Sequence, residues 1–195
     1  MRLWTIQPLN VVDELNKKGY FYCNPKLAKD IEDGSFKDAY DWLVKEMDKR
    51  LPKESKPNEV TYPIWAWYRV YGENTKPNLA LEEYHYAKSG TKLACIEIEI
   101  PDDYVLLSDY GNWHFVLNDS YLDNSMNEEE FDKETKYFDN LNYKKKEKVK
   151  KKSWEKIFDI NKFKNEWREN GYHVQATFWY LNKEWVKEIS YFTCM

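Results

Sequence analysis

At 195 residues the chain is one domain's worth of polypeptide. Hydrophobic residues at 42% and aromatics at 17% exclude a disordered tail, and six Gly with seven Pro exclude collagen-like and linker-like chains. Thirty Lys+Arg against 34 Asp+Glu leave a net charge of −4, so the chain as a whole lacks the basic footprint of a nucleic-acid-binding domain, although a local patch stays open.

In chain order, residues 3–7 (Leu-Trp-Thr-Ile-Gln) are strand-like and Pro8 closes them. Residues 11–18 follow as a short helix with Val11, Val12 and Leu15 on one face, and Gly19 suits the residue just past its end. An aromatic run at 20–22 completes this opening unit. Residues 36–51 form the clearest helix, with Phe36, Ala39, Tyr40, Leu43, Met47 and Leu51 at i, i+3, i+4 spacing, and Pro52 ends it. A polar loop leads to an aromatic strand at 62–68, then a turn at 72–76. Residues 93–100 are the best strand: Ala94, Ile96, Ile98 and Ile100 alternate with Cys95, Glu97 and Glu99. Extended structure resumes at 104–107, and 113–118 reads as helix.

Residues 127–152 form a charged excursion of helix and loop. An acidic block (Glu128, Glu129, Glu130, Asp132, Glu134) precedes a basic run that opens at Lys144, closes at Lys152 and carries a net +6. That run is either a solvated face or a phosphate-contacting arm. Ser153 is placed to cap a further helix through 158. Residues 174–192 read strand, turn, strand, with Val174, Ala176, Phe178 and Tyr180 on one face and Gln175, Thr177 and Trp179 on the other. No internal repeat or linker divides the chain, so residues 1–195 form a single α+β domain of mixed, mostly antiparallel sheets with flanking helices.

Standard catalytic and phosphate-binding motifs are missing: no GxGxxG, GxxxxGK[ST], HExxH or GxSxG occurs. His85, His114 and His173 are scattered and no CxxC pair occurs, so no metal is expected. Cys95, inside the best strand, reads as a packed thiol. The odd cysteine count, with neither a signal design nor a long apolar run, leads us to expect a reduced, cytoplasmic setting and no membrane.

What stands out is aromatic and polar residues on strand-like segments. These are Trp4 and Gln7, then Trp65, Trp67 and Tyr68, then Ser108, Asp109, Trp113 and His114, and finally Gln175 and Thr177. In a cleft the rings would offer faces to a planar ligand, and the amides and hydroxyls would bond its edge or a sugar. Most Trp in so aromatic a chain are core. Gln175 and Thr177 are the sharper signal, since an ordinary core would fill their face with aliphatics.

The segments RLWTIQ, YPIWAWY, VLLSDYGNWHFVLN, SWEKIFDI and QATFWYLNKEWVKEISYF resemble the uncharacterised bacterial family described as domain of unknown function 3841, over residues 2–192. More distantly, the order strand, short helix, Gly, then 96–100 with 105–109, then 175–192, is similar to compact ADP-ribosyltransferases of the DNA-modifying toxin and RNA 2′-phosphotransferase kinds. That resemblance implies NAD, gripped by a polar residue on the opening strand, and a closing strand reading Gln-x-Glu. Here the closing strand reads Gln175-Ala176-Thr177, and Arg2 or Trp4 stands where the family has His or Arg.

The departure matters, because ADP-ribosyl transfer passes through an oxocarbenium-like state and the family's Glu places negative charge beside it. Losing such a preorganised group costs about 10²–10³ in rate. Asp109, Glu97 or Glu155 is the replacement carboxylate to look for. The expected site is therefore Gln175, Thr177 and Asp109 for catalysis, with Arg2, Trp4, Thr5, Gln7, Trp65, Trp67, Tyr68, Ser108, Trp113 and His114 around NAD. Its acceptor would be nucleic acid or protein. The competing reading is a non-catalytic module that binds single-stranded nucleic acid or a protein partner.

Overall fold

The computed structural model describes residues 1–24, 31, 34, 36–80 and 86–194. The fold is α+β, as expected. Six strands form one antiparallel sheet in the order β10 (Val186–Thr193), β4 (Lys92–Glu99), β1 (Arg2–Pro8), β3 (Ile64–Arg69), β8 (Val174–Phe178), β5 (Leu106–Asp109). Two-stranded ribbons pair β2 (Tyr20–Phe21) with β9 (Leu181–Asn182), and β6 (Phe163–Lys164) with β7 (Glu169–Asn170).

Side-chain alternation gives the sheet two covered faces. On one face Leu3, Ala66, Ile96, Ile98, Ala176 and Phe178 meet Val12 and Leu15 of helix α1 (Leu9–Lys18). Gly19 ends that helix at φ 83°, the left-handed conformation in which its backbone N–H reaches the Leu15 carbonyl. On the other face Leu43 and Met47 of helix α2 (Lys37–Arg50) pack with Trp113 and Val116 of helix α3 (Tyr110–Leu117), and with Trp154, Ile157 and Trp179.

The charged excursion is two helices, α4 (Glu128–Asp139) and α5 (Tyr143–Ser153). Each starts at an asparagine: Asn127 accepts from the Glu130 N–H at 3.0 Å and Asn142 from the Lys145 N–H at 3.1 Å.

Helix α1 starts at Leu9 rather than Val11 and β3 runs Ile64–Arg69 rather than 62–68, and three further boundaries differ from expectation. Ser153 does not open a helix. It ends α5 with helical dihedrals, its hydroxyl donates to the Lys150 carbonyl at 2.6 Å, and residues 154–158 continue as a 3-10 turn. Helix α3 starts at Tyr110 rather than Trp113 because Asp109 caps it, accepting from the Asn112 N–H at 2.8 Å. Extended structure resumes only at Leu106, since Asp102–Tyr104 coils into a 3-10 turn.

Candidate functional site

Strand register decides which expected site residues can meet. Trp4 pairs with Glu97 on one side and Trp67 on the other, Trp67 pairs with Gln175, and Gln175 pairs with Ser108. Directly opposed residues of antiparallel strands share a face, so these five form one row. It is closed. Glu97 accepts from the Trp4 indole at 3.1 Å and from Arg2 at 2.7 Å, and the Arg2 guanidinium lies 5.3 Å from the Trp4 ring. The Trp67 indole donates to the Tyr86 hydroxyl at 3.1 Å, and its ring lies 5.2 Å from Tyr110. Burial pushes the Tyr86 phenol up to about 12. Trp4 is 1% exposed, and Ser108 is buried with its hydroxyl unbonded among the described residues.

The expected meeting of Gln7 with Gln175 does not occur. Gln7 lies three positions after Trp4 along an unbroken strand, which turns Gln7 to the opposite face, and β3 lies between the strands of Gln7 and Gln175. Thr177, 1% exposed, donates to the Leu106 carbonyl at 3.2 Å. It lies inside the sheet packing.

Asp109 sits in a second closed corner. Its two carboxylate oxygens accept from the Asn112 N–H at 2.8 Å and the Gly171 N–H at 2.7 Å. Burial raises its carboxyl above the ordinary value, against the pull of those two donors. Asn112 donates to Asn170, Asn170 donates to the Asp159 and Asn161 carbonyls, and Arg69 donates to the Ile160 and Gly171 carbonyls. This polar knot ties β5 and α3 to the turn before β8. Glu155 is held by Lys152 at 2.6 Å. Trp113 is buried 5.1 Å from Trp65 and 5.8 Å from Tyr40, Tyr68 packs on the α1 side of the sheet, and His114 is exposed with its Nδ1 at 2.9 Å from the Tyr110 carbonyl.

An open groove among the described residues lies elsewhere. Strand β1 pairs with β4 from Arg2–Glu99 to Pro8–Leu93, but with β3 only at Trp4–Trp67. Pro8 ends β1 and Pro63 precedes β3, so neither can donate across the gap. The strands fork. Thr5 bridges the opening by donating its hydroxyl to the Trp65 carbonyl at 2.8 Å, and Gln7 donates to Thr5 at 2.7 Å.

A groove of about 830 Å³ occupies this fork, with Gln7, Trp65 and both prolines among its walls. One wall is α1, whose Asn10, Glu14 and Lys18 follow i, i+4, i+8 beside the buried stripe of Val11 and Leu15. Asn10 and Val11 bring the N-terminal turn of α1 to the groove, and no side chain among the described residues caps that turn. Glu14 holds Lys18 at 2.7 Å. A recess of about 400 Å³ shares Lys18, Tyr22 and Glu59 with the groove and adds Tyr180 and Tyr20, whose ring stacks on Tyr22 at 5.8 Å. Burial raises the Cys23 thiol on the groove wall, which keeps it protonated at neutral pH.

Of the expected site residues, then, the groove takes Gln7 and Trp65, with Thr5 bracing its floor. The polar stripe at 10, 14 and 18 and the prolines at 8 and 63 were the readable signals for the groove. Cys95 is buried, its thiol pushed up to about 11 by that burial. His85 lies outside the described residues. Among the described residues no three His, Cys, Asp or Glu side chains cluster to hold a metal, and no helix is long and apolar enough to cross a membrane.

No curated protein and no solved structure matches the chain. The family model for domain of unknown function 3841 matches residues 2–187, and the chain belongs to that family.

Proposed function

We propose that the chain binds NAD or a related nucleotide in the fork groove between β1 and β3, as an ADP-ribosyltransferase-like protein. The observation that carries this reading is the fork itself: an open groove where the sheet ladder stops, beside a helix N-terminus that no side chain among the described residues caps. Such a terminus presents N–H groups and a partial positive charge to a phosphate. Trp65, Phe21 and Tyr22 offer rings to a planar base, and Gln7 and Asn10 can bond its edge or a ribose.

ADP-ribosyl transfer is the finer part of the proposal. Thr177 supplies no charge, and Asp109, Glu97 and Glu155 are engaged away from the groove. Among the described residues Glu14 and Glu59 are the groove's own carboxylates, and in this reading the ribose oxocarbenium forms beside one of them. A reducing, cytoplasmic setting goes with this reading, supported by Cys23, Cys95 and Cys194 all being free thiols.

Isothermal titration with NAD, ADP-ribose and AMP tests the binding, and a nicotinamide-release assay tests the transfer. The reading expects micromolar-to-millimolar NAD affinity, and release that falls in Glu14→Gln or Glu59→Gln. No heat of binding at millimolar NAD discards it.

A further inference from the structure

The basic helix α5 takes no part in the groove, and its lysines sort into two sets. Lys146 lies 3.6 Å from Asp139, and Lys150 is buried between Asp119 at 2.6 Å and Glu147 at 2.7 Å. Lys152 pairs with Glu155 at 2.6 Å. Lys144, Lys145, Lys148 and Lys151 are exposed and make no ion pair among the described residues. At 100° per residue these four fall within an arc of about 120° and span about 10 Å along the axis.

This arrangement departs from the other helices of the molecule. There, Lys18 is met by Glu14, Lys37 by Asp41, Lys49 by Glu46 and Lys133 by Glu129, and the exposed lysines without an ion pair among the described residues, Lys17, Lys45 and Lys136, fall one to a helix rather than four on one face. On α5 the one carboxylate within the helix, Glu147, turns to Lys150 instead. The four lysines face one another at i, i+3 and i+4 (144 with 148, 145 with 148, 148 with 151), a spacing at which like charges repel. Lys144 and Lys145 also occupy the first turn, the end of the helix where positive charge is disfavoured. The acidic helix α4 does not relieve this, since its ion pair to α5 runs to Lys146. Such a face carries the charge that a polyanion would neutralise.

We propose that the exposed face of α5 binds the phosphate backbone of single-stranded nucleic acid through Lys144, Lys148 and Lys151, with Lys145 at its edge. Tyr143 is 78% exposed immediately before Lys144, where its ring can stack on a base. The proposal is independent of what fills the fork groove.

Fluorescence anisotropy with labelled 20-nucleotide single-stranded DNA and RNA, read across a salt series, tests it. Each single-strand phosphate contact contributes about 0.7 to the slope of log K against log salt. The variant Lys144→Glu, Lys148→Glu, Lys151→Glu is expected to bind at least about tenfold more weakly at low salt, with the slope reduced by about 2. A variant with the same change of net charge at exposed Lys45, Lys53 and Lys88 is expected to keep the wild-type slope. Should the triple reversal fail to fold, Lys148→Ala alone is expected to lower the slope by about 0.7. An equal loss in both triple variants, no oligonucleotide binding by the wild type, or binding to phosphatidylserine vesicles without binding to oligonucleotides overturns the proposal.

Discussion

Two places in this molecule replace backbone ladder bonds by side-chain bonds, with opposite results. At the Asp109 corner the carboxylate, Asn112, Asn170 and Arg69 close on one another and on neighbouring carbonyls, and the site is shut. At the β1–β3 fork Thr5 spans the gap to Trp65, Gln7 leans on Thr5, and a groove stays open beside them. Polar residues on strands therefore mark both an anchor and an open groove. The difference lies in whether the backbone between them is brought together or held apart, which here turns on Pro8 and Pro63.

If the corner is an anchor, changes there strike stability hardest. Gly171 has φ 70°, and a Cβ on it would stand 2.4 Å from the Ile160 carbonyl. Gly171→Ala is expected to cost roughly 3 kcal/mol or more in denaturant unfolding, from left-handed strain and a clash with backbone. Asp109→Ala comes next at about 2–4 kcal/mol, since it orphans two buried N–H donors and uncaps α3.

Asp109→Asn costs less and adds a pH test. The raised carboxyl holds its proton more tightly folded than unfolded, so its stabilisation is complete below the ordinary carboxylate value. That stabilisation is lost as pH rises through the raised value. The deficit of Asp109→Asn against the wild type is therefore expected to be larger near about pH 3 than near about pH 7. An unchanged melting curve for Asp109→Ala would contradict the anchor.

The fork is expected to respond the other way. Thr5→Val removes the donor to the partly buried Trp65 carbonyl and is expected to cost about 1–2 kcal/mol. Gln7→Ala is expected to leave stability within about 0.5 kcal/mol yet weaken NAD about five- to tenfold by calorimetry. A large melting shift with unchanged affinity would make Gln7 another anchor.

Local signals carried the elements well. The alternation at 94, 96, 98 and 100 and the helical spacing from Ala39 to Met47 needed only period and burial to be read. Gly19 marked the end of α1 because its left-handed turn is a backbone requirement. The site was less legible, because it depends on how strands are ordered and paired. Trp4, Trp67, Gln175 and Ser108 look like ligand contacts on separate strands, and register alone shows that they stack into one packed row. Gln7 and Gln175 differ in parity relative to Trp4 and Trp67, which is decided only when β3 is known to lie between their strands. Asp109 reads as one of three candidate carboxylates in the sequence, and its engagement is hidden there because its partners, the N–H groups of Asn112 and Gly171, are main chain.

The central claim, that a nucleotide occupies the fork rather than the packed row, is tested most directly by hydrogen–deuterium exchange with and without saturating NAD. The account predicts slowed exchange at residues 6–12 and 63–65, and none at 106–109 or 174–177. Protection confined to 106–109 and 174–177, or no protection anywhere, would contradict it.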